Sequence, residues 1–287
     1  MSPAPAPERE IAIEVDGGHI TGWLGGEGPN LLLLHGGPGL TDYLASLAAE
    51  LAPAFTVFHY QQRGLTPSVA DGDRTVEGHV ADAVRVLEGL AWERPIVAGH
   101  SWGGHLAMHL AVAHPERLRA LAPMSALWAV GDGGERVFGE NLMRQLSPEE
   151  RAKYEEIDAR ESAEDATEPV EAEGLRILWP YYFADPAKAS PMPPMLGDPV
   201  GQRAAWTSIH EHFAAQTLES ALPQLTVPTV IIHGELDPIP YVEAELTARL
   251  IPGAELRILP GVGHFPWLEQ PGILRELLGE FAAGLPV

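Results

Sequence analysis

Short apolar runs alternate with segments of helical spacing along most of this 287-residue chain, and the alternation is interrupted once. Glu10–Val15 and His19–Leu24 flank an Asp16-Gly17-Gly18 turn and read as an opening hairpin. Apolar runs follow at Leu31–Leu34, Phe55–Tyr60, Pro95–Gly99 and Leu118–Met124, then at Thr229–His233 and Glu255–Leu259. Val76, Val80, Val84 and Leu87 recur at helical spacing within Val76–Leu90, and Trp102–His114, Tyr241–Leu250 and Gly272–Ala283 read as further helices. Buried strands joined by helices predict an α/β domain on a mostly parallel sheet covered on both faces. From about Gly131 to Phe213 the chain is helical in character with no clear strand, an insertion that reads as a lid. The expected organisation is a disordered Pro/Ala-rich lead over 1–9, a core from 10–130 and 216–287, and a helical cap over 131–215.

The net charge of −22 disfavours nucleic acid and anionic lipid as partners, since both carry phosphate. The chain has no cysteine, which excludes disulfides, thiolate metal sites and a cysteine nucleophile. The N-terminal MSPAPAPERE lacks the basic start and apolar stretch of a secretory signal, so a cytoplasmic location is expected. The longest apolar run, Leu31–Leu34, is far too short to cross a bilayer, and no membrane association is expected.

Gly99-His100-Ser101-Trp102-Gly103 joins an expected strand to an expected helix and fits G-x-S-x-G. In that context a serine sits on a sharp turn whose flanking positions have no room for side chains. The helix start behind it adds positive potential and a free backbone N–H from Trp102. The plainer alternative is a serine that only caps the helix. Gly103-Gly104 suits close helix–strand packing. Upstream, His35-Gly36-Gly37-Pro38-Gly39 ends an early strand, and its missing side chains let backbone approach a substrate. The second donor of an oxyanion hole is expected there, from Gly37 first and Gly36 second.

Asp237 follows the strand Thr229–His233, and His264 follows Glu255–Leu259. Both therefore lie on loops at the same sheet end as Ser101, in the order serine, acid, histidine. Ser101 is expected to be the nucleophile, His264 its base and Asp237 the carboxylate that orients the base. Glu235 and Asp132 are alternative acids. This chemistry requires no cofactor and no metal.

These motifs resemble the α/β-hydrolase superfamily over nearly the full length. Within it, His35-Gly36-Gly37-Pro38-Gly39, Gln62-Arg63-Gly64 and Gly99-His100-Ser101-Trp102-Gly103-Gly104 are similar to the proline iminopeptidase branch. The resemblance implies hydrolysis of a small ester, lactone or short peptide. Three departures stand out. Gln61 replaces the branch's aspartate, and His100 replaces a glycine. The branch's Trp-Glu pair, whose glutamate binds a substrate amine, is reduced to Trp206 and a more distant Glu211. By that resemblance Glu211 is a candidate amine anchor.

Trp179, Tyr181, Tyr182 and Phe183 either line an apolar substrate pocket or pack the insertion onto the core, and Trp179 and Tyr182 are the substrate-contact candidates. His105 and His109 have a zinc-compatible i, i+4 spacing, but no accompanying glutamate motif. Arg63 suits a buried brace between loops. The acidic run Glu149–Glu173 reads as a solvated helix face, or as a lure for amine-bearing substrates.

Overall fold

The computed structural model describes residues 8–163 and 166–286. The expected disordered lead over 1–9 lies, through residue 7, outside the described residues, and its last residue is corrected: Arg9 pairs with Leu24 in the first strand. In chain order the strands are β1 (Arg9–Val15), β2 (Gly18–Gly25), β3 (Asn30–Leu34), β4 (Thr56–Tyr60), β5 (Val69–Ala70), β6 (Ile96–His100), β7 (Ala120–Met124), β8 (Val170–Glu171), β9 (Leu196–Gly197), β10 (Val230–Gly234) and β11 (Glu255–Leu259). The helices are α1 (Ala45–Leu51), α2 (Val76–Gly89), α3 (Trp102–Ala113), α4 (Glu135–Gln145), α5 (Pro148–Glu161), α6 (Glu173–Leu178), α7 (Pro199–Ala214), α8 (Thr217–Ala221), α9 (Tyr241–Leu250), α10 (Pro266–Glu269) and α11 (Ile273–Gly284).

The main sheet has the order β1-β2-β4-β3-β6-β7-β10-β11, with β5 on β2. The β1–β2 and β2–β4 pairs are antiparallel, and every pair from β4 to β11 is parallel. This is the expected mostly parallel sheet. Strand periodicity divides its side chains between two cores. Leu32 and Leu34 of β3 face the core built on α2 and α3, whereas Leu31 and Leu33 face the core built on α1 and α11. Val97, Leu121 and Ile231 continue the first set; Ile96, Ala98, Ala120, Ala122, Val230 and Ile232 continue the second.

The sequence reading places no element between Leu34 and Phe55, yet α1 lies there. Its Leu47, Ala48 and Leu51 are buried at helical spacing, over only seven residues. Helix α2 starts where the Thr75 hydroxyl accepts the Gly78 N–H, and α5 starts in a reciprocal Ser147–Glu150 capping box behind Pro148.

Between β7 and β10 the chain leaves the sheet and forms α4 to α8. The expectation of no strand in this stretch is corrected by a two-residue antiparallel pair, β8 with β9, too short to leave a periodic signature. Strand β9 ties the insertion to the loop after β3: Thr41 N–H donates to Leu196 O at 3.0 Å and Asp198 N–H to Gly39 O at 2.8 Å. The buried Asp198 carboxylate also pairs with Arg74 at 2.7 Å. No described helix is long and apolar enough to cross a membrane.

Candidate active site

Ser101 ends β6 and begins α3 with φ +57° and ψ −123°, a conformation L-residues rarely adopt. Its side chain makes no capping hydrogen bond to the helix, so the plain capping alternative is not what holds it there. A Cβ on Gly99 would lie 2.1 Å from Gly103 O, and one on Gly103 would lie 2.1 Å from Leu34 O. Both glycines are therefore steric necessities of a turn that crosses the end of β3. Ser101 itself is only partly buried and tied to the sheet through its N–H, which donates to Met124 O at 3.0 Å.

The loop after β3 packs on this turn. A Cβ on Gly36 would meet Ser101 Cβ at 2.9 Å and the Tyr43 hydroxyl at 2.2 Å. The Gly36 N–H donates to that hydroxyl at 3.0 Å, which corrects the second oxyanion candidate: this donor is already committed. Gly37 has φ +139°, and its N–H, like that of Trp102 at the start of α3, has no hydrogen-bond acceptor among the described residues. Gln62 braces the loop from beneath. Its amide donates to His35 O at 2.8 Å and accepts the Trp102 indole N–H at 3.0 Å.

His264 and Asp237 meet as their loops predict. His264 Nδ1 lies 2.9 Å from Asp237 Oδ2 and 3.1 Å from Oδ1, and Oδ1 also accepts the Ile239 N–H at 2.8 Å. Burial pushes the Asp237 carboxyl up, but the nearby His264 and His233 and the two hydrogen bonds outweigh it. The group therefore sits below its ordinary carboxylate value. A buried carboxylate accepting from Nδ1 leaves Nε2 as the basic nitrogen of the ring. Among the described residues the His264 ring hydrogen-bonds through Nδ1 alone, so the structure does not join Nε2 to the Ser101 hydroxyl. Such contacts often close only around substrate. The serine turn and the histidine loop are nonetheless adjacent, since the His100 and His264 ring centroids are 4.6 Å apart.

The alternative acids lie elsewhere. Glu235 is exposed and accepts the Gly261 N–H at 3.0 Å, and Asp132 is exposed and caps the turn into α4 through Gly134 N–H.

A cleft of about 230 Å³ opens beside Gly37 and Pro38, lined on the insertion side by Tyr154, Asp158, Glu161, Tyr182, Gln202 and Trp206. Of the substrate-contact candidates only Tyr182 lines this cleft: its ring centroid is 5.1 Å from that of His264, and its carbonyl accepts the His264 N–H at 2.8 Å. Trp179 and Glu211 lie elsewhere. Trp179 is buried in the core with Phe183 and Phe265, and its indole donates to Ser190 O at 2.6 Å. Glu211 lies on the exposed face of α7, off the cleft that Trp206 lines. Sequence reasoning missed Tyr154, Asp158 and Glu161 as a set. Their i, i+4, i+7 spacing on α5 places them on one helical stripe, a signal hidden inside the acidic run.

Other sequence candidates are structural. Arg63 makes a bidentate pair with Asp82, with Nε–Oδ2 at 2.6 Å, and donates to Asp71 O at 2.8 Å. A larger cleft of about 510 Å³ lies over this pair; neither cleft is lined by Ser101 or His264, but only the smaller one includes Gly37 and Tyr182, which lie beside them. His105 donates from Nδ1 to Leu127 O and meets His109 Nε2 at 3.2 Å, so the two rings bond each other inside the core.

The chain is 29% identical to 2-hydroxymuconate semialdehyde hydrolase of Pseudomonas sp. strain CF600, covering 98% of this chain and 96% of that protein. It is 28% identical to proline iminopeptidase of Saccharolobus solfataricus, covering 89% and 85%. The solved structure of Est816, described as an N-acyl homoserine lactone degrading enzyme, superposes with a TM-score of 0.64 at 26% identity, covering 94% of this chain and all of that one. The profile of the alpha/beta hydrolase family matches residues 31–277, and the chain belongs to that family.

Proposed function

We propose that this protein is a serine hydrolase that cleaves an ester or lactone bond of a small molecule through an acyl-enzyme on Ser101. The observation that carries the reading is the strained Ser101 turn set beside a His264–Asp237 pair at 2.9 Å. In the first half-reaction the Ser101 oxygen attacks the carbonyl carbon and its proton passes to His264 Nε2. Asp237 holds the ring's Nδ1–H and stabilises the imidazolium. The oxyanion takes the free N–H groups of Gly37 and Trp102. Collapse of the tetrahedral intermediate expels the alcohol oxygen, which takes the proton from His264. In the second half-reaction water gives a proton to His264 and adds to the acyl carbon; the tetrahedral intermediate then collapses, the bond to Ser101 Oγ breaks as the carboxylic acid leaves, and Oγ takes the proton back from His264. The segment between β7 and β10 acts as a cap, and the cleft beneath it receives the acyl group. Est816 supports the lactone arm of this reading.

A second reading, aminopeptidase action on a short peptide, is favoured by Asp158 and Glu161 in the cleft and by the proline iminopeptidase relative. Two carboxylates there complement a substrate ammonium.

Intact-protein mass spectrometry after a fluorophosphonate probe tests the common mechanism. The expected result is one adduct on the native chain and none on Ser101→Ala. An unlabelled native chain supports a ligand-binding protein or a lyase on the same fold instead. A panel of nitrophenyl esters, acyl lactones, proline anilides and 2-hydroxymuconate semialdehyde then separates the substrate classes.

A further inference from the structure

His100 is the elbow residue that departs from the branch pattern, and its ring has no solvent exposure. Three hydrogen bonds pass through it and its neighbour Tyr43. Gly36 N–H donates to the Tyr43 hydroxyl at 3.0 Å, Tyr43 Oη lies 2.6 Å from His100 Nδ1, and His100 Nε2 lies 2.7 Å from His264 O. The polarity of this chain is determined. A carbonyl oxygen only accepts, so Nε2 carries the hydrogen. Burial, together with the adjacent His264, pushes the His100 pKa well below its ordinary value, so the ring is neutral and Nδ1 is a lone pair. Tyr43 therefore accepts from Gly36 and donates to His100. No donor or acceptor is left to choose another arrangement.

The two ends of the chain matter. One is the amide immediately before Gly37, the proposed oxyanion donor. The other is the peptide of His264, whose N–H is already held by Tyr182 O at 2.8 Å. Trp267 lies parallel to Tyr43 at 6.5 Å and edge-on to His100 at 4.9 Å, so both rings are packed in place.

We propose that Tyr43 and His100 are positioning residues that lock the oxyanion loop and the base loop into one register around Ser101, through the polarised chain Gly36–Tyr43–His100–His264. The proposal rests on the serine hydrolase reading. Neither side chain lines the cleft. Each acts by holding backbone beside a group proposed to react, Gly36 next to the Gly37 donor and His264 at the base, so the effect belongs to the transition state, where donor placement counts, and not to ground-state binding.

The experiment compares native protein with Tyr43→Phe, which deletes one oxygen and keeps the ring. Active sites are titrated with the fluorophosphonate so that kcat refers to functional sites. Deleting a whole oxyanion donor costs about 100- to 1000-fold. A displaced donor should cost less, and Tyr43→Phe is expected to lower kcat by about 10- to 100-fold with KM within about twofold. Affinity for a boronic acid that mimics the tetrahedral intermediate should fall by a similar factor. His100→Gln, whose amide N–H can still reach the His264 carbonyl, should recover part of the loss seen in His100→Leu. If the native chain labels and Tyr43→Phe turns over within twofold per labelled site, or changes only KM, the positioning role is overturned while the serine mechanism stands. If the native chain does not label, the mechanism fails and the positioning role falls with it.

Discussion

Replacing Asp237 by asparagine tests the proposed mechanism at its most constrained atom. Asp237 Oδ1 accepts the Ile239 N–H at 2.8 Å, and Oδ2 is 2.9 Å from His264 Nδ1. In asparagine the atom facing the Ile239 N–H must be the amide oxygen, because two donors cannot face each other in a buried site. The amide nitrogen then takes the place of Oδ2, the atom nearer to His264 Nδ1 at 2.9 Å against 3.1 Å for Oδ1, and can only donate to it. Facing that donor, His264 presents a lone pair at Nδ1 and moves its hydrogen to Nε2, the atom that has to take the Ser101 proton. A neighbouring rescue is blocked as well, because His233 Nε2 gives its hydrogen to Ile239 O at 2.8 Å. The fold keeps its contacts while the base is held in the wrong tautomer. The expected loss is about 10⁴-fold in kcat, as in the serine-protease case, which corresponds to about 5.4 kcal/mol in the barrier. Ester turnover at pH 7 to 8 measures it, ¹⁵N NMR of the His264 ring reports the moved hydrogen, and thermal melting controls for unfolding. An asparagine variant that keeps a tenth of native turnover would falsify the tautomer argument. A crippled Glu235→Gln beside an active Asp237→Asn would transfer the acid's role to Glu235.

Three further outcomes are expected. The buried His59 lies 2.5 Å from Asp42; burial opposes its charge, but the hydrogen bonds it donates to Asp42 and Glu8 prevail and raise its pKa from 6.5 to about 9. Its contribution is fully present below pH 6.5 and is lost as pH rises through about 9; at 1.36 kcal/mol per pKa unit it amounts to about 3 kcal/mol. Urea midpoints across pH 6 to 10 should show that fall, and Asp42→Asn should flatten it. Gly103→Ala places a Cβ 2.1 Å from Leu34 O and 2.7 Å from His35 O, both rigid backbone, so α3 must move away from the loop after β3. It should cost about 1–3 kcal/mol of stability and more of the activity than the melting shift accounts for. Arg63→Ala strands the buried Asp82 carboxylate and should cost about 3–5 kcal/mol; Arg63→Met with Asp82→Leu should recover much of that in denaturant titration.

The division between what was legible in the chain and what was not follows the range of the interactions. Strand β3 is readable because Leu31 to Leu34 are buried on both faces of the sheet, and the elbow because Gly99 answers a steric demand at Gly103 O within the same short motif. Asp237 and His264 are readable because each follows a strand, and parallel strands deliver their loops to one end. Helix α1 is too short for its period to stand out, and β8 and β9 exist only because the chain returns, after the intervening 172–195, to pair two residues with two.

The amino-acid sequence by itself thus determined the sheet, the strained serine and the loops that carry its candidate partners, since each depends on residues close in the chain. Tertiary structure alone decided which side chains surround them. Trp179 turns into the core while Tyr182, three residues on, reaches His264; Glu211 faces solvent while Trp206 lines the cleft. Tyr43 reaches an imidazole 57 residues away, and His100 a carbonyl 164 residues away. Those choices depend on how segments distant in the chain pack against each other, and no local pattern of spacing or polarity encodes such packing.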